Sequence, residues 1–241
     1  MLISIVIPAF DEESYLGRTL ESVNAARAFM LASGGASSEV VVVDNDSTDA
    51  TAEVARRFGA RVLSEPVHNI AKVRNMGAAS ARGEVLVFVD ADTIVPAELL
   101  SRIVGALSEP ACLGGALDTD YRPSRLASKI YLGAWRIVGK LAGLAQGATQ
   151  FCRREAFDTL GGYDETLFMG EDVDFYQRLK RLARRRRGSV TFIDNMHVTP
   201  STRRYNQWSF WRTLVWTNPL VVLLFRRRRS AWHGWYEEVP R

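Results

Sequence analysis

Asp90-Ala91-Asp92 follows directly on the apolar run Val85-Leu-Val-Phe-Val89. Such a run reads as a buried strand whose tip emerges carrying charge. Residues two apart on an extended backbone point to the same side, so Asp90 and Asp92 can converge on one spot. Two carboxylates that close repel unless a proton or a cation neutralises them. Hard oxygen ligands suit Mg²⁺ or Mn²⁺, and Mg²⁺ typically takes one or two carboxylates plus phosphate oxygens of a substrate. A solvated turn is the plainer reading, because Asp is also a common turn residue.

A second acidic cluster, Gly170-Glu171-Asp172-Val173-Asp174, opens a stretch with helical spacing. Carboxylates interact favourably with a helix N-terminus, which would explain them without any reaction. The chemical alternative makes Glu171 or Asp172 a general base, which must reach the proton it removes. His197 is a lone histidine after a strand-like run, and its ring nitrogen could complete a metal shell begun by Asp92. Arg203 and Arg204 could grip a diphosphate, since a guanidinium fork matches phosphate oxygens. Lys72 and Arg74 face the same choice between solvated helix charges and phosphate ligands.

These residues need elements that bring them together. Apolar runs predict strands over 2–7, 39–43, 60–64 and 85–89, and helical spacing predicts a helix through Leu16, Leu20, Val23 and Met30 that Gly34 breaks, and helices over 49–58, 70–81 and 96–107. Asp11 or Ser14 is placed to cap the first helix. This β-α-β-α-β alternation predicts a mostly parallel, doubly wound sheet covered by helices. Ligands of such sheets bind outside the carboxyl ends of the strands. Three of these ends are polar: Pro8-Ala-Phe-Asp11, Asp44-Asn-Asp46 and Asp90-Ala-Asp92. Beyond Asp118 the pattern loosens, with a helix over 124–144, a strand from Gln146 to Arg154, a helix over 171–184 and a strand over 190–193.

Composition narrows the class. At 241 residues the chain is one generous domain or a domain with an appendage. Cys112 and Cys152 are its only cysteines, which excludes a disulfide scaffold and fits a reducing, cytoplasmic compartment. The start, Met1-Leu-Ile-Ser-Ile-Val-Ile-Pro8, reads as a first strand and not as a signal peptide. Charge is divided: residues 1–175 carry a net of −8 and residues 176–241 a net of +12. The acidic part therefore calls for cations and the basic part for anions.

The tail holds five of the six tryptophans, at 208, 211, 216, 232 and 235. Its apolar run Leu214–Phe225 is too short to span a bilayer. Between aromatics and Arg226–Arg229, it suits an interfacial element on the inner face of an anionic membrane. Helices packing on the catalytic core or on a second subunit, as in a homodimer, are the alternative. Nucleic-acid binding is not expected, because no recognition module accompanies the basic clusters.

Six stretches, taken in order, give the chain a family likeness: Ile5-Val-Ile-Pro-Ala-Phe-Asp-Glu12, Val43-Asp-Asn-Asp-Ser-Thr-Asp49, Arg74-Asn-Met-Gly77, Val89-Asp-Ala-Asp-Thr93, Gly161-Gly-Tyr-Asp164 and Gly170-Glu-Asp-Val-Asp174. From residue 3 to about 204 the chain resembles the family 2 glycosyltransferases. The resemblance implies a GT-A fold: an α/β, Rossmann-like, mostly parallel twisted sheet flanked by helices, here with a helical C-terminal extension. It implies a catalytic domain over 1–204, with a nucleotide-binding half at 1–117 and an acceptor half at 118–204, and an extension over 205–241. Pro8, Ala9, Asp11 or Glu12, and Asp44 would line the nucleoside pocket, flanked by Asp46 and Arg74. Asp90-Ala91-Asp92 would be the family's DXD signature, holding Mn²⁺ or Mg²⁺ on the diphosphate, with Asp92 the direct ligand. His197 would match a third metal ligand found in some GT-A enzymes. Asp172 matches the catalytic base, with Glu171 beside it.

The expected function is therefore metal-dependent, inverting transfer of a sugar from a nucleotide-diphosphate sugar to a hydroxyl, on a glycan or lipid-linked acceptor. Two other functions share the fold. A sugar nucleotidyltransferase would normally show a glycine- and lysine-rich phosphate loop near the first strand, which Pro8-Ala-Phe-Asp-Glu12 lacks. A non-catalytic, membrane-associated nucleotide binder would not need both Asp92 and Asp172.

Overall fold

The computed structural model describes residues 1–141, 143 and 148–232. In its first ninety residues β1 (Leu2–Ala9), α1 (Glu13–Ala32), β2 (Ser37–Asp44), α2 (Thr51–Arg57), β3 (Arg61–Ser64), α3 (Ile70–Ser80) and β4 (Val85–Val89) alternate. β1 pairs in parallel with β2 and β4, and β2 with β3. Both faces of this sheet are covered, which is why its strands are apolar throughout and not alternating. Ile3, Ile5 and Ile7 pack toward Leu16, Leu20 and Val23 of α1 on one face. Val6, one residue out of phase, joins Ala71 and Ala78 of α3 on the other.

The second half is mixed. β5 (Thr93–Ile94), α4 (Leu99–Leu107), β6 (Cys112–Thr119), α5 (Leu126–Leu141), β7 (Thr149–Arg153), α6 (Arg154–Leu160), α7 (Glu171–Arg185) and β8 (Ser189–Pro200) follow in sequence. β7 runs antiparallel to β4 and β6, while β6 and β8 are parallel. The order across the eight-stranded sheet is β3-β2-β1-β4-β7-β6-β8-β5. Three short helices close the described chain: α8 (Arg203–Gln207), α9 (Phe210–Trp216) and α10 (Pro219–Phe225). Among the described residues no helix is long and apolar enough to cross a membrane.

Several local expectations change. The first helix is not capped by Asp11 or Ser14: it begins at Glu13, and the neighbouring loop supplies its acceptors. Glu12 N–H donates to Thr51 Oγ1 (2.7 Å) and Glu13 N–H to Asp49 Oδ2 (3.1 Å). The helix after Pro96 starts at Leu99, with Leu99 N–H donating to the Pro96 carbonyl. The last strand is three times the predicted length, because β8 continues past Ile193 to pair with β5. β6 and α6 have no counterpart in the sequence reading. Cys112-Leu-Gly-Gly-Ala-Leu-Asp118 has no β-branched residue until Thr119 and two central glycines, so propensity argues against a strand, yet every residue of β6 is buried. The end of the helix predicted to 144, the start at Gln146 of the strand predicted to 154, and Trp235 lie outside the described residues.

Gly77 sets how closely α3 approaches the sheet. A Cβ there would lie 2.3 Å from Val6 Cγ1 and 3.0 Å from Val43 Cγ2. Gly77→Ala gains helix propensity of roughly 1 kcal/mol but forces α3 off two strands. The net expectation is a destabilisation of about 1–3 kcal/mol, read as a lower denaturant midpoint with an unchanged slope. An unchanged midpoint would show that α3 can retreat freely.

Candidate active site

The parallel register brings Ala9 of β1 opposite Asp44 of β2, and β4 ends beside them at Val89. One sheet edge therefore opens into a cleft lined by Pro8, Ala9, Phe10, Glu12, Asn45, Arg74, Asp90, Ala91 and Asp92 on the strand side. Tyr121, Ala148, Phe168, Met169, Gly170, Glu171, Asp172, Ser201, Arg204 and Tyr205 close its other side. The accessible volume is about 250 Å³.

The Asp90–Asp92 segment is held by its backbone. Asp90 N–H donates to the Ala148 carbonyl (3.2 Å), and Thr93 N–H to the Asp90 carbonyl (3.1 Å). Thr19 Oγ1 donates to the Ala91 carbonyl (2.8 Å) and Ser201 N–H to the Asp92 carbonyl (2.9 Å). With the main chain satisfied in this way, both carboxylates are left for other partners.

Arg74 takes one of them. Its side chain is only 3% exposed, with Nη2 2.7 Å from Asp90 Oδ1 and Nη1 2.5 Å from Glu171 Oε1. Burial alone would lower its pKa, but Asp90 and then Glu171 outweigh this and raise it. The guanidinium also lies 5.4 Å from the centre of the Tyr163 ring. Asn75, next in sequence, donates from Nδ2 to the Tyr163 carbonyl (2.9 Å) and accepts from Tyr163 N–H (2.8 Å). The Arg74–Gly77 and Gly161–Asp164 stretches are thus two halves of one joint.

Asp172 is positioned from behind. Tyr163 Oη donates to Gln150 Oε1 (3.2 Å), and Gln150 Nε2 donates to the Asp172 carbonyl (3.0 Å). Its carboxylate accepts Val173 N–H at 2.7 Å. Burial, then the neighbouring Glu171 charge, push its pKa up to about 7 against an opposing Arg74. A carboxylate poised near neutrality suits a general base. Asp92 is pushed up to about 7 as well, by burial and then by Glu12, with Arg203 opposing. Burial and Tyr205 raise Tyr121 well above the usual phenol range, so it remains a neutral aromatic wall.

Asp92 and its neighbours fit a divalent ion shared with a substrate. Glu12, Asp90 and Asp92 line one wall, Asp90 is engaged by Arg74, and Asp92 holds a charge its surroundings disfavour. Among the described residues no three or more His, Cys, Asp or Glu side chains form an all-protein metal cage. One or two carboxylates completed by phosphate oxygens is the arrangement typical of Mg²⁺.

Of the residues singled out from the sequence, Pro8, Ala9, Glu12, Arg74, Asp90, Ala91, Asp92, Glu171 and Asp172 meet in this cleft, while Asp11, Asp44, Asp46, Lys72, Arg203 and His197 are not in its lining. Asp11 adopts a left-handed backbone (φ 48°) and is a brace: its carboxylate accepts Thr48 N–H (2.6 Å) and its own N–H donates to Ser47 Oγ (2.9 Å). Such backbone strain persists only where surrounding bonds over-determine it. Asp44 accepts Ser47 N–H (3.3 Å) in the same loop, and Asp46, also left-handed, is exposed. Lys72 pairs with Glu65 at 3.0 Å.

Two corrections concern function. Arg203 does not face the space for a diphosphate: both its Nη atoms bond the Glu12 carboxylate, and it covers the Tyr15 ring at 4.3 Å. Arg204 lines the cleft instead, because adjacent residues at a helix start point about 100° apart. His197 is not beside Asp92. Its Nε2 lies 3.0 Å from Arg122 Nη2 and 3.8 Å from Asp120, because β8 places residue 197 opposite Asp118, while Ser201 and Arg203, further along, reach Asp92. Phe10, Asn45, Tyr121, Phe168, Met169, Ser201 and Tyr205 were not foreseen. Phe10 and Asn45 adjoin predicted strand tips, which is the one signal that could have found them.

Comparison with known proteins agrees with this geometry. The model for glycosyl transferase family 2 matches residues 4–161, more than half of the chain. Glycosyltransferase AglE of Haloferax volcanii is 24% identical over 188 residues, covering 73% of this chain and 60% of that protein. Undecaprenyl-phosphate 4-deoxy-4-formamido-L-arabinose transferase of Edwardsiella ictaluri is 31% identical over 146 residues, covering 54% and 42%. The chain thus spans about half the length of curated relatives it matches. The mannosyltransferase PcManGT of Pyrobaculum calidifontis, solved with GDP-Man and Mn²⁺, superposes with a TM-score of 0.67 at 20% identity, covering 87% of this chain and 59% of that one. Glucosyl-3-phosphoglycerate synthase of Mycobacterium tuberculosis, solved with Mn²⁺, UDP and glucosyl-3-phosphoglycerate, gives 0.60 at 23%, covering 93% and 79%. With the family model matched over residues 4–161, about two thirds of its length, the chain belongs to glycosyl transferase family 2.

Proposed function

We propose that this protein transfers a sugar from a nucleotide-diphosphate sugar to an acceptor hydroxyl, with inversion at the anomeric carbon. The observation that carries the reading is one cleft lined by both Asp92 and Asp172, two acids that burial pushes up to about 7. Asp92 and Asp90 would hold Mn²⁺ or Mg²⁺ on the donor diphosphate, and the ion would supply Lewis-acid stabilisation of the departing nucleoside diphosphate. Arg204 and the Pro8–Phe10 strand tip would receive the nucleotide. Asp172 removes the proton from the acceptor hydroxyl while its oxygen bonds to the anomeric carbon. The bond from that carbon to the diphosphate oxygen breaks on the opposite face, so a single displacement inverts the centre. Glu171 keeps Arg74 in place and adds to the charge that holds Asp172 near neutrality. Relatives named for transfer to undecaprenyl-phosphate support a lipid-linked or cell-envelope glycan acceptor, met at the cytoplasmic face of a membrane.

Incubation with radiolabelled nucleotide sugars and a lipid extract, with and without Mn²⁺, tests the reading. Release of nucleoside diphosphate supports it, whereas pyrophosphate would identify a nucleotidyltransferase and binding without turnover a non-catalytic relative. Asp172→Asn should abolish turnover while nucleotide affinity stays within about tenfold, about 1.4 kcal/mol. Retained turnover would remove Asp172 as the base. Asp92→Ala should weaken nucleotide binding only when Mn²⁺ is present, and calorimetry showing equal affinity would exclude it as a ligand.

Stability against pH checks the same acid independently. Asp172 binds its proton more tightly folded (about 7) than its ordinary 3.8. Its stabilising contribution is therefore complete below 3.8 and is lost as pH rises through about 7. Asp172→Asn should accordingly gain thermal stability relative to the parent as pH rises from about 4 to about 7. A constant difference in Tm would contradict the raised value.

A further inference from the structure

The site uses nothing of α9, α10 or the outer face of α5, yet these carry the most exposed apolar side chains of the fold. Leu126, Ile130 and Ile137 of α5, Trp211 of α9, and Leu220, Leu223 and Leu224 of α10 are all 59–73% exposed. At 100° per residue, Leu126, Ile130 and Ile137 fall on one stripe, and the buried Ser128, Leu132 and Gly139 lie on the opposite side. The stripe therefore points away from the buried side of α5. Leu220, Leu223 and Leu224 follow the same i, i+3, i+4 spacing on α10.

The helices adjoin one another. Tyr131 of α5 shares a hydrogen bond with Thr217 (2.7 Å) and meets the Phe210 ring edge-on at 6.0 Å. Arg125 donates to the Trp208 carbonyl (2.7 Å). Positive charge borders the apolar side chains: Arg226–Arg229 follow α10 directly, and Lys129 is exposed beside Ile130. Arg226 and Arg227 approach Asp174 and Asp164. Among the described residues, Arg228 and Arg229 have no carboxylate within ion-pair distance. Apolar anchors bordered by arginine are what an anionic lipid surface recognises, whereas a second protein of the same composition would meet like charge.

We infer that α5, α9 and α10 form a seat on an anionic bilayer, with the exposed leucines, isoleucines and Trp211 entering the headgroup boundary and the arginines meeting lipid phosphates. The seat reaches beyond the tail to α5 and stands apart from sugar transfer. It adjoins the cleft: Phe168 N–H donates to the Arg226 carbonyl (2.7 Å), and Val222 packs against Gly170. Phe168 and Gly170 both line the catalytic side of the cleft.

Co-flotation of the full chain with vesicles rich in phosphatidylglycerol, against pure phosphatidylcholine, tests the seat. Binding should require the anionic lipid and weaken at high salt. The exposed pairs L223Q/L224Q, I130Q/I137Q and R228Q/R229Q should each lower the partition coefficient by at least about tenfold, while nucleotide-induced stabilisation against heat stays unchanged and reports intact folding. Absence of binding to anionic vesicles, or binding indifferent to all three pairs, overturns the inference. So does sedimentation showing a dimer that L223Q/L224Q dissociates without any lipid partition, since the face would then be covered by a second copy. Loss of transferase activity with vesicle binding retained would count against the catalytic reading alone.

Discussion

The buried guanidinium of Arg74 is the interaction on which the cleft depends. A cation this deep is tolerated only when paired, and removing either partner would leave a charge stranded in low dielectric. Its two Nη atoms take one carboxylate each from opposite sides, Asp90 at the tip of β4 and Glu171 at the start of α7. It therefore locks the spacing of the two walls. It also decides which acids are engaged: Asp90 and Glu171 share its one positive charge, while burial pushes Asp92 and Asp172 up to about 7.

Holding Arg74 at that point takes a chain of close approaches. Gly77 lets α3 lie against Val6 and Val43, and Asn75 ties the helix to the Tyr163 backbone through two hydrogen bonds. Tyr163 then passes its hydroxyl to Gln150, and Gln150 holds the Asp172 carbonyl. The stretch that supplies Arg74 and the one that holds Asp172 are thus connected by packing and not only by charge. A general base needs this, because misplacement by an ångström can cost about a hundredfold in rate.

Glu12 and Arg203 repeat the pattern beside Asp92. Their bidentate pair anchors the start of α8 over Tyr15 and turns the next residue, Arg204, into the cleft. From there the chain runs through α9 and α10 and returns to the Phe168–Gly170 loop. The exposed apolar helices and the Phe168–Gly170 loop of the cleft are consequently in contact. A surface that meets lipid would stand within reach of a cleft that meets a lipid-linked hydroxyl.

The sequence alone determined the parallel N-terminal half and the convergence of its tips. Buried apolar runs of strand length, separated by helical spacing, leave few topologies; the extended backbone expected through Asp90–Asp92 is instead a turn closed by Thr93 N–H on the Asp90 carbonyl, and both side chains still line the cleft. Six motifs in order are enough to carry the family resemblance. Tertiary structure decided which partner each side chain takes. Arg203 and Arg204 are indistinguishable in sequence, and only Glu12, 191 residues away from Arg203, separates their roles. His197 looked like a ligand until the register of β8 set it against Asp120 and Arg122. β6 was hidden because its glycines and missing β-branched residues argue against a strand, and only burial between β7 and β8 makes it one. Local pattern encodes period and propensity, whereas the partner of a charge across the fold is set by packing that no local window contains.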